Sequence, residues 1–511
     1  MAGKTPTFKP YHQHQIMMLP PSLEDLIAEG HLVRVVNEVI NKINLEHLLS
    51  AYQTKGTSSY HPQMLLKVLV YGYVSNVYSS RKLEKACKEN INFMWLTAMN
   101  YPDHHTINRF RGIRLKEALR KVFEEVVCLL AEEGLLSIEQ VYTDGTKIEA
   151  NANKYSFVWK KAIQTNKEKM KKQLQEIWQY AQSVSEAEDH MPEPPDLTTI
   201  DREKVQSTVN KLNEVLGGKK DIDKVVKARL KYVTKNFPQN IQKYEAQEAV
   251  LGERNSYSKT DEDATFMRMK EDHMKNGQLK PGYNAQISTS NQFIVNYTLH
   301  PNPADTTTLK AHIAQHEESF GAAPKVITAD AGYGSEENYT LMEGKEIAAF
   351  VKYGLFEKEQ NESYNQKHPF TADKLFYNAE NDCYICPMGQ AMSYIGESQR
   401  KTSNGFEQTY RRYQARNCQQ CPLNGVCHKL KENRIIEINR NLNRLKQKAN
   451  RLLNSDEGIA HRKKRCIDVE PVFGNIKQNY GFRRFMLRGK EKVTIEWGLL
   501  AIAHNIRKKA A

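Results

Sequence analysis

Three acids at the ends of regular segments and five cysteines gathered in one stretch are the residues of this 511-residue chain best suited to chemistry. Asp144 follows Val141 and Tyr142 in EQVYTDGTKI, and Asp330 closes the apolar run KVITAD ahead of the turn Ala331-Gly332-Tyr333-Gly334. A carboxylate at a strand end is costly to bury unless something compensates it. If the two strands are neighbours, the carboxylates meet at the sheet edge, and hard oxygen donors held that way suit Mg²⁺ or Mn²⁺. Two such ions activate a water or hydroxyl and stabilise the oxygen that leaves a phosphodiester. The plainer alternative is that an Asp before a Gly caps a turn. Asp261, Asp305 and Asp468 compete for the same roles. Glu470 is favoured as a third acid because Glu470, Phe473 and Lys477 fall at i, i+3 and i+7, one face of a helix. Lys477 would lie about 10 Å along the axis, far enough to hold a phosphate beside the metals. Pro471 predicts a helix start or kink beside Glu470. Arg462 and Arg465 precede the acid, and Arg483 and Arg484 follow it.

Cys383-x-x-Cys386 is followed, after 31 intervening residues, by Cys418-x-x-Cys421, with Cys427 and His428 close behind. Two such pairs can set the thiolates of Cys383, Cys386, Cys418 and Cys421 around a structural Zn²⁺, a closed site with no place for water. Reduced buried thiols or a redox pair are the alternatives. Neither reading gives the cluster a catalytic role. Cys87 and Cys128 fall on apolar helix faces and read as core residues. The first residues carry no apolar core of signal-peptide length, and no window nears the roughly 18 apolar residues of a membrane span. An intracellular chain with no membrane partner is expected.

The elements that must position these residues change character along the chain. Residues 22–135 read as short helices, with Leu32, Val35, Val36, Val39 and Ile43 at helical spacing and Pro62 opening a second helix. Their order, with Arg109, Arg111 and Arg114 on the last, fits a helix-turn-helix type of DNA reader or a plain helical bundle. Strands are then expected at 139–148, 283–288, 292–299, 325–330 and 347–353, with a helix at 305–320. That order predicts an α/β sheet flanked by helices. Two excursions interrupt it. The first, 155–280, is a helical insertion, read as a hairpin with a soft tip near Glu186–Pro195; the second, about 354–460, holds five of the eight cysteines.

With 40% hydrophobic and 26% charged residues the chain is not a disordered, collagen-like or disulfide-stapled protein. Lys and Arg number 74 against 60 Asp and Glu, a net charge of +14. Such a surplus suits nucleic acid or an anionic membrane, or belongs to a merely basic protein. It is localised: residues 429–511 hold 21 Lys and Arg against 8 Asp and Glu, and the rest is nearly neutral. DNA phosphate is therefore expected along the C-terminal segment, with the N-terminal helices adding more to specificity than to salt-sensitive affinity.

Nine islands share their order with a known family: YHPQMLLKVLVYGY at 60–73, SSRKLE at 79–84, HTINRFR at 105–111, YTDGTKIEANANK at 142–154, PGYNAQ at 281–286, ADAGYGS at 329–335, CP-x-G at 386–389, C-x-x-CP at 418–422 and VEPVFGNIK at 469–477. On these the chain resembles the DDE transposases of bacterial insertion sequences, in the branch with an InsH-like helical N-terminal domain and an RNase H-like catalytic domain. The resemblance implies a DNA-binding domain at 1–135, a catalytic core at 136–154, 281–353 and 455–511, a helical insertion at 155–280 and a cysteine-rich insertion at 354–454. It makes Asp144, Asp330 and Glu470 the catalytic acids, holding two Mg²⁺ or Mn²⁺. The family's terminal signature runs Tyr, two residues, Arg, three residues, Glu, six residues, Lys. Lys477 fits it, but Lys463 and Cys466 stand at the Tyr and Arg positions, with Arg462 and Arg465 as nearby substitutes. The implied activity is binding of the element's terminal inverted repeats, metal-dependent cleavage of its ends and joining of the 3′ ends to target DNA. A homodimer in the synaptic complex and a cytoplasmic, nucleoid-associated location in a bacterium accompany it. The rivals are a catalytically silent DNA-binding descendant and an RNase H-like nuclease without strand transfer.

Overall fold

Val33, Val36, Val39 and Ile40 recur at helical spacing and all are buried on α1 (Leu32–Lys42), which opens with the His31 ring accepting from the Val33 amide. The computed structural model describes residues 22–50, 59–185, 193–219, 222–269, 277–429 and 431–511. After α2 (Glu46–Leu49), α3 (Pro62–Val74) starts with Pro62, where a missing N–H costs nothing. Then come α4 (Ser80–Glu89), α5 (Ile91–Leu96) and α6 (His104–Arg109), the last capped by Asp103, which accepts from the Thr106 amide at 2.7 Å. A π-helical turn, Phe110–Arg114, leads into α7 (Leu115–Glu132). Cys87 is buried on α4 as expected, but Cys128 is exposed: it lies two residues from Val126 and Leu130, on the side of the helix away from the buried stripe Val122, Val126 and Leu130.

The chain divides into two compact units, Met1–Leu129 with Gly498–Ala511, and Leu130–Trp497. Residues 498–511, expected with the catalytic core, thus cluster with the helical unit. In the second unit, β1 (Gln140–Glu149) is followed by β2 (Phe157–Trp159), α8 (Lys160–Ser185), α9 (Arg202–Leu216), α10 (Lys224–Leu251) and β3 (Ser256–Ser258), which pairs with β2. The insertion is a bundle of three helices rather than a hairpin: Leu174 and Ile177, Val205 and Leu212, and Val233 and Ile241 share one core. Most of its expected soft tip, 186–192, lies outside the described residues.

The main sheet is completed by β4 (Thr265–Arg268), β5 (Leu279–Ser290), β6 (Phe293–His300), β7 (Val326–Ala329) after α11 (Leu309–Phe320), and β8 (Ala348–Val351) after α12 (Glu336–Gly344). Its order is β4-β5-β1-β7-β8, with β6 also on β5. β1 runs antiparallel to β5 and parallel to β7, and β7 is parallel to β8. An antiparallel meander continued by parallel strands that helices connect is the RNase H-like arrangement, so the α/β expectation holds. α13 (Phe356–Glu359) and α14 (Glu362–Lys367) lead to a second, antiparallel sheet of β9 (Phe376–Asn378), β10 (Cys383–Ile385), β11 (Ala391–Lys401), β12 (Glu407–Gln414) and β13 (Ile435–Ile438). Its core is small, built on Met392, Tyr413, Ile436 and Ile438. The chain then returns through α15 (Arg440–Leu453), α16 (Asp456–Asp468), α17 (Glu470–Gly474), a π-helical turn at Asn475–Asn479 and α18 (Lys490–Lys509). Among the described residues no helix is long and apolar enough to cross a membrane.

Candidate active site

In the parallel pairing of β1 with β7, Thr143 stands beside Ala329. The next residue along each strand direction is an acid, so Asp144, within β1 rather than at its end, and Asp330, just past the end of β7, arrive side by side. Asp144 is 7% exposed, and its Oδ1 accepts from the Gly145 amide at 2.7 Å. Asp330 opens the turn after β7 and accepts from the Gly332 amide at 2.8 Å. A turn-capping role and a place in a carboxylate pair are therefore compatible in the same residue.

Glu470 reaches this pair through α16. His461, Arg465 and Asp468 lie at i, i+4 and i+7, a single helical stripe. At one end of the stripe, the His461 ring stacks on Phe350 at 4.2 Å between centroids, with Nδ1 3.2 Å from the Tyr142 hydroxyl, and burial pushes its pKa down. At the other end, Asp468 accepts from Thr289 Oγ1 at 2.7 Å and from the Gln292 amide at 3.1 Å. Between these anchors Arg465 places Nη1 3.4 Å from Asp144 Oδ2 and Nη2 3.4 Å from Glu470 Oε1. The guanidinium thus links the first acid to the third. The Asp144 side chain is 10% exposed and that of Glu470 53%, so the link runs from the buried sheet end out to solvent.

Pro471 begins a new helix beside Glu470, as expected, since α17 starts at the acid and Pro occupies its first turn. The shared face of Glu470, Phe473 and Lys477 does not form. The π-helical turn at 475–479 breaks the 3.6-residue period that the expectation assumed. Lys477 is buried at 7% exposure instead of facing outward with Glu470.

On the opposite face of β1 lies a polar layer that the carboxylate pattern did not reveal. Gly145 stands across from Gln286 in β5, and alternation puts both away from Asp144. Asn284, Gln286 and Ser288 form a buried polar stripe on β5. Asp305, in the turn before α11, accepts from Asn284 Nδ2 at 2.7 Å and from Gln286 Nε2 at 2.9 Å. The Tyr333 hydroxyl donates to Gln286 Oε1. Burial, then the charges of Asp305, Asp144 and Asp330, hold the Tyr333 phenol well above its ordinary pKa, so it stays a donor. Asp305 is thus a fourth acid at this sheet end, tied down by two amides. Asp261 and Asp468 are elsewhere engaged: Asp261 accepts from the Tyr283 hydroxyl at 2.9 Å, and burial raises its pKa.

The basic residues divide. Arg109, Arg483 and Arg484 are exposed, Arg483 donating to Gln478 Oε1 at 2.6 Å. Arg111, expected to read DNA, is 3% exposed and donates to the Tyr78 carbonyl at 2.8 Å, so it holds the helical unit together. Arg484 ties the C-terminal segment to the Ala150 and Ala152 carbonyls, and Arg462 lies over the Phe356 ring at 5.3 Å. Much of the charge on α15 is neutralised within the protein: Arg440 pairs with Asp382, and Arg444 and Lys448 with Glu343, whose pKa they draw down to about 2.

The cysteines regroup. Cys383 and Cys386 flank the extended residues of β10, which separates their Cα atoms by about 10 Å at 3.3 Å per residue and turns them to opposite faces. Cys386 instead lines a small cavity with Cys418, Cys421, Cys427 and His428, and Cys383 is not among the lining residues.

The acids are all hard oxygen donors at one sheet end, which fits Mg²⁺ or Mn²⁺ in kind. They are not drawn into a cage: among the described residues no group of three or more His, Cys, Asp or Glu side chains is placed to hold an ion. Two family models match the chain. One, described as a transposase DDE domain, covers residues 385–510, including Glu470 and Arg465; the other, Transposase domain (DUF772), covers residues 21–112 of the helical unit. No curated protein and no solved structure matches the chain. The family acts on DNA and generally uses divalent metal ions. Together with the RNase H-like sheet formed by the strands that lie between them in sequence, the two matches indicate an insertion-sequence DDE transposase.

Proposed function

We propose that the chain binds the terminal inverted repeats of its insertion sequence, hydrolyses the phosphodiester at the element's ends and joins the exposed 3′ ends to target DNA. The observation that carries this reading is the meeting of Asp144 and Asp330 on adjacent parallel strands, with Glu470 joined to Asp144 through Arg465. Asp144, Asp330 and Glu470 would hold two Mg²⁺ or Mn²⁺. Bound there, the ions supply activation of the attacking water or 3′ hydroxyl and stabilisation of the leaving oxygen. The protein's part is positioning. The buried layer of Asn284, Gln286, Asp305 and Tyr333 fixes the strand ends from behind, and His461 and Asp468 fix α16, so that Arg465 holds Glu470 toward the pair. Exposed Arg483 and Arg109 are proposed phosphate contacts, Arg109 on the helical domain that reads the ends; Arg465 is one once DNA is seated. Arg111, Arg462, Arg484 and Lys477 support the fold around these surfaces. Both ends must be held together, so a homodimer in the synaptic complex is proposed, in the cytoplasm and on the nucleoid.

The test is cleavage of the element's own end sequences with Mg²⁺. Wild type should nick and then join them, while Asp144→Asn, Asp330→Asn and Glu470→Gln should bind the same DNA and leave it uncut. Cleavage by any of the three at the wild-type rate removes that residue from the site. Binding by the wild type without cleavage under either metal refutes the catalytic reading.

A further inference from the structure

The cavity lined by Cys386, Cys418, Cys421 and Cys427 measures about 20 Å³, room for a single water-sized sphere. The turns around it are built the way thiolate knuckles are. Gly389, at φ +78°, lets the chain double back after Cys386, with the Gly389 amide donating to the Cys386 carbonyl at 2.9 Å and the Cys386 amide to Gln390 at 2.8 Å. The Cys421 amide donates to the Cys418 carbonyl at 3.4 Å, closing the second turn. Two donors aim at sulfur: the Arg434 amide at Cys418 Sγ, 3.3 Å away, and the Arg434 guanidinium at Cys427 Sγ, 2.9 Å away. Arg434 is itself 9% exposed, so its donors reach the sulfurs from within the protein. His428 lines the same cavity, and both of its ring nitrogens are buried with no hydrogen-bond partner. A buried imidazole in that position lacks compensation until a charged group stands beside it.

From this geometry we propose that one Zn²⁺ binds in the cavity through the thiolates of Cys386, Cys418, Cys421 and Cys427, with Cys383 excluded. Four thiolates close the coordination shell, so the ion is structural. Each thiol loses its proton on binding, and no oxidation or reduction is involved. The side chains as placed do not form a ready cage, so binding draws the turn after β10 and the 418–427 loop together. The His428 ring is then positioned to donate an N–H to a metal-bound sulfur. The consequence is mechanical: the ion staples the segment between β12 and β13, which has no named strand among its described residues, to the β10–β11 hairpin.

The full chain should carry about one zinc, measured by mass spectrometry of the purified protein. Cys383→Ser and His428→Ala should retain it, whereas Cys386→Ser and Cys427→Ser should lower the zinc content at least tenfold. If the last two variants fail to fold, cobalt substitution of wild type and of Cys383→Ser decides instead. Both should give the same intense thiolate-to-cobalt absorption of a four-sulfur site. A folded wild type without metal overturns the proposal. So does loss of zinc from Cys383→Ser, a three-sulfur, one-nitrogen cobalt spectrum, or retention by folded Cys427→Ser.

Discussion

Replacing Gly145 by Ala probes the buried layer behind the acids without touching a carboxylate. A Cβ at this position would come 2.2 Å from Gln286 Nε2 and 2.7 Å from Asp305 Oδ1. Both neighbours are held, because Gln286 is fully buried and Asp305 accepts from two amides. The Gln286 amide must therefore leave the space it crosses. Its departure removes the 2.9 Å bond to Asp305 and takes the acceptor from the Tyr333 hydroxyl. A hydrogen bond to a charged group contributes about 1.5–3 kcal/mol, and a buried donor left without an acceptor costs about 1–3 kcal/mol. The expected loss is about 3–5 kcal/mol, since the two bonds share one side chain and do not add fully. Urea unfolding of the second unit should show it. Truncating Gln286 to Ala makes room for the new methyl, so Gly145→Ala should cost little more in a Gln286→Ala background, a coupling of about 2 kcal/mol or more. A Gly145→Ala protein within about 0.5 kcal/mol of wild type, or a double mutant whose costs simply add, would refute the steric reasoning.

Arg465→Ala leaves the Asp144 carboxylate without its guanidinium and should destabilise the unit by about 2 kcal/mol, less than a fully buried pair because Glu470 is half exposed. Asp144→Asn in that background should recover part of the loss, and strict additivity in urea titrations would show that the two do not interact. Arg111→Ala should cost the helical unit about 1–3 kcal/mol through its lost bond to Tyr78, while Arg109→Ala should leave stability within about 0.5 kcal/mol and weaken DNA binding; calorimetry and gel-shift titration separate the two, and the reverse pattern would exchange their roles. His300 and His316 are held neutral, burial drawing each pKa to about 4 from 6.5. The unfolded chain binds these protons first, so their contribution is complete above pH 6.5 and is lost as the pH falls toward 4, up to about 3 kcal/mol per residue. His316→Gln should flatten the decline of stability between pH 6.5 and 4; an unchanged slope would mean that the imidazole is not held neutral.

What the sequence made legible was whatever local period decides. Asp330 closes a strand pattern and Asp144 lies within one, and the register of β1 on β7 sets them side by side. The helical domain and the mixed sheet were readable for the same reason. Lys477 was misplaced because a π-helical turn adds a residue to the period, and nothing in NIKQN announces it. The Cys383 and Cys386 spacing has the same weakness: two intervening residues bring thiols together in a turn and hold them apart in a strand. The alternation Asn284, Gln286, Ser288 was visible, yet alternation does not say which face a helix will cover, and here the polar face is the buried one. The stripe of His461, Arg465 and Asp468 was within reach, since i, i+4 and i+7 are a helical signature. Its purpose depended on partners more than a hundred residues away.

The two insertions also govern when the three acids can come together. Asp144 and Glu470 lie 326 residues apart, so a ribosome adding about 5–20 residues per second separates their synthesis by on the order of 20 to 60 seconds. Through much of that interval β1 has emerged with neither neighbour, because β5 and β7 are made after the three-helix insertion. That insertion has a core of its own and can fold while the central strand waits. Chains released early, at the end of the second sheet, would carry two of the three acids and lack α16 and Arg465. The meeting of the three acids is thus deferred to the last tenth of translation, when the helix that joins them leaves the ribosome.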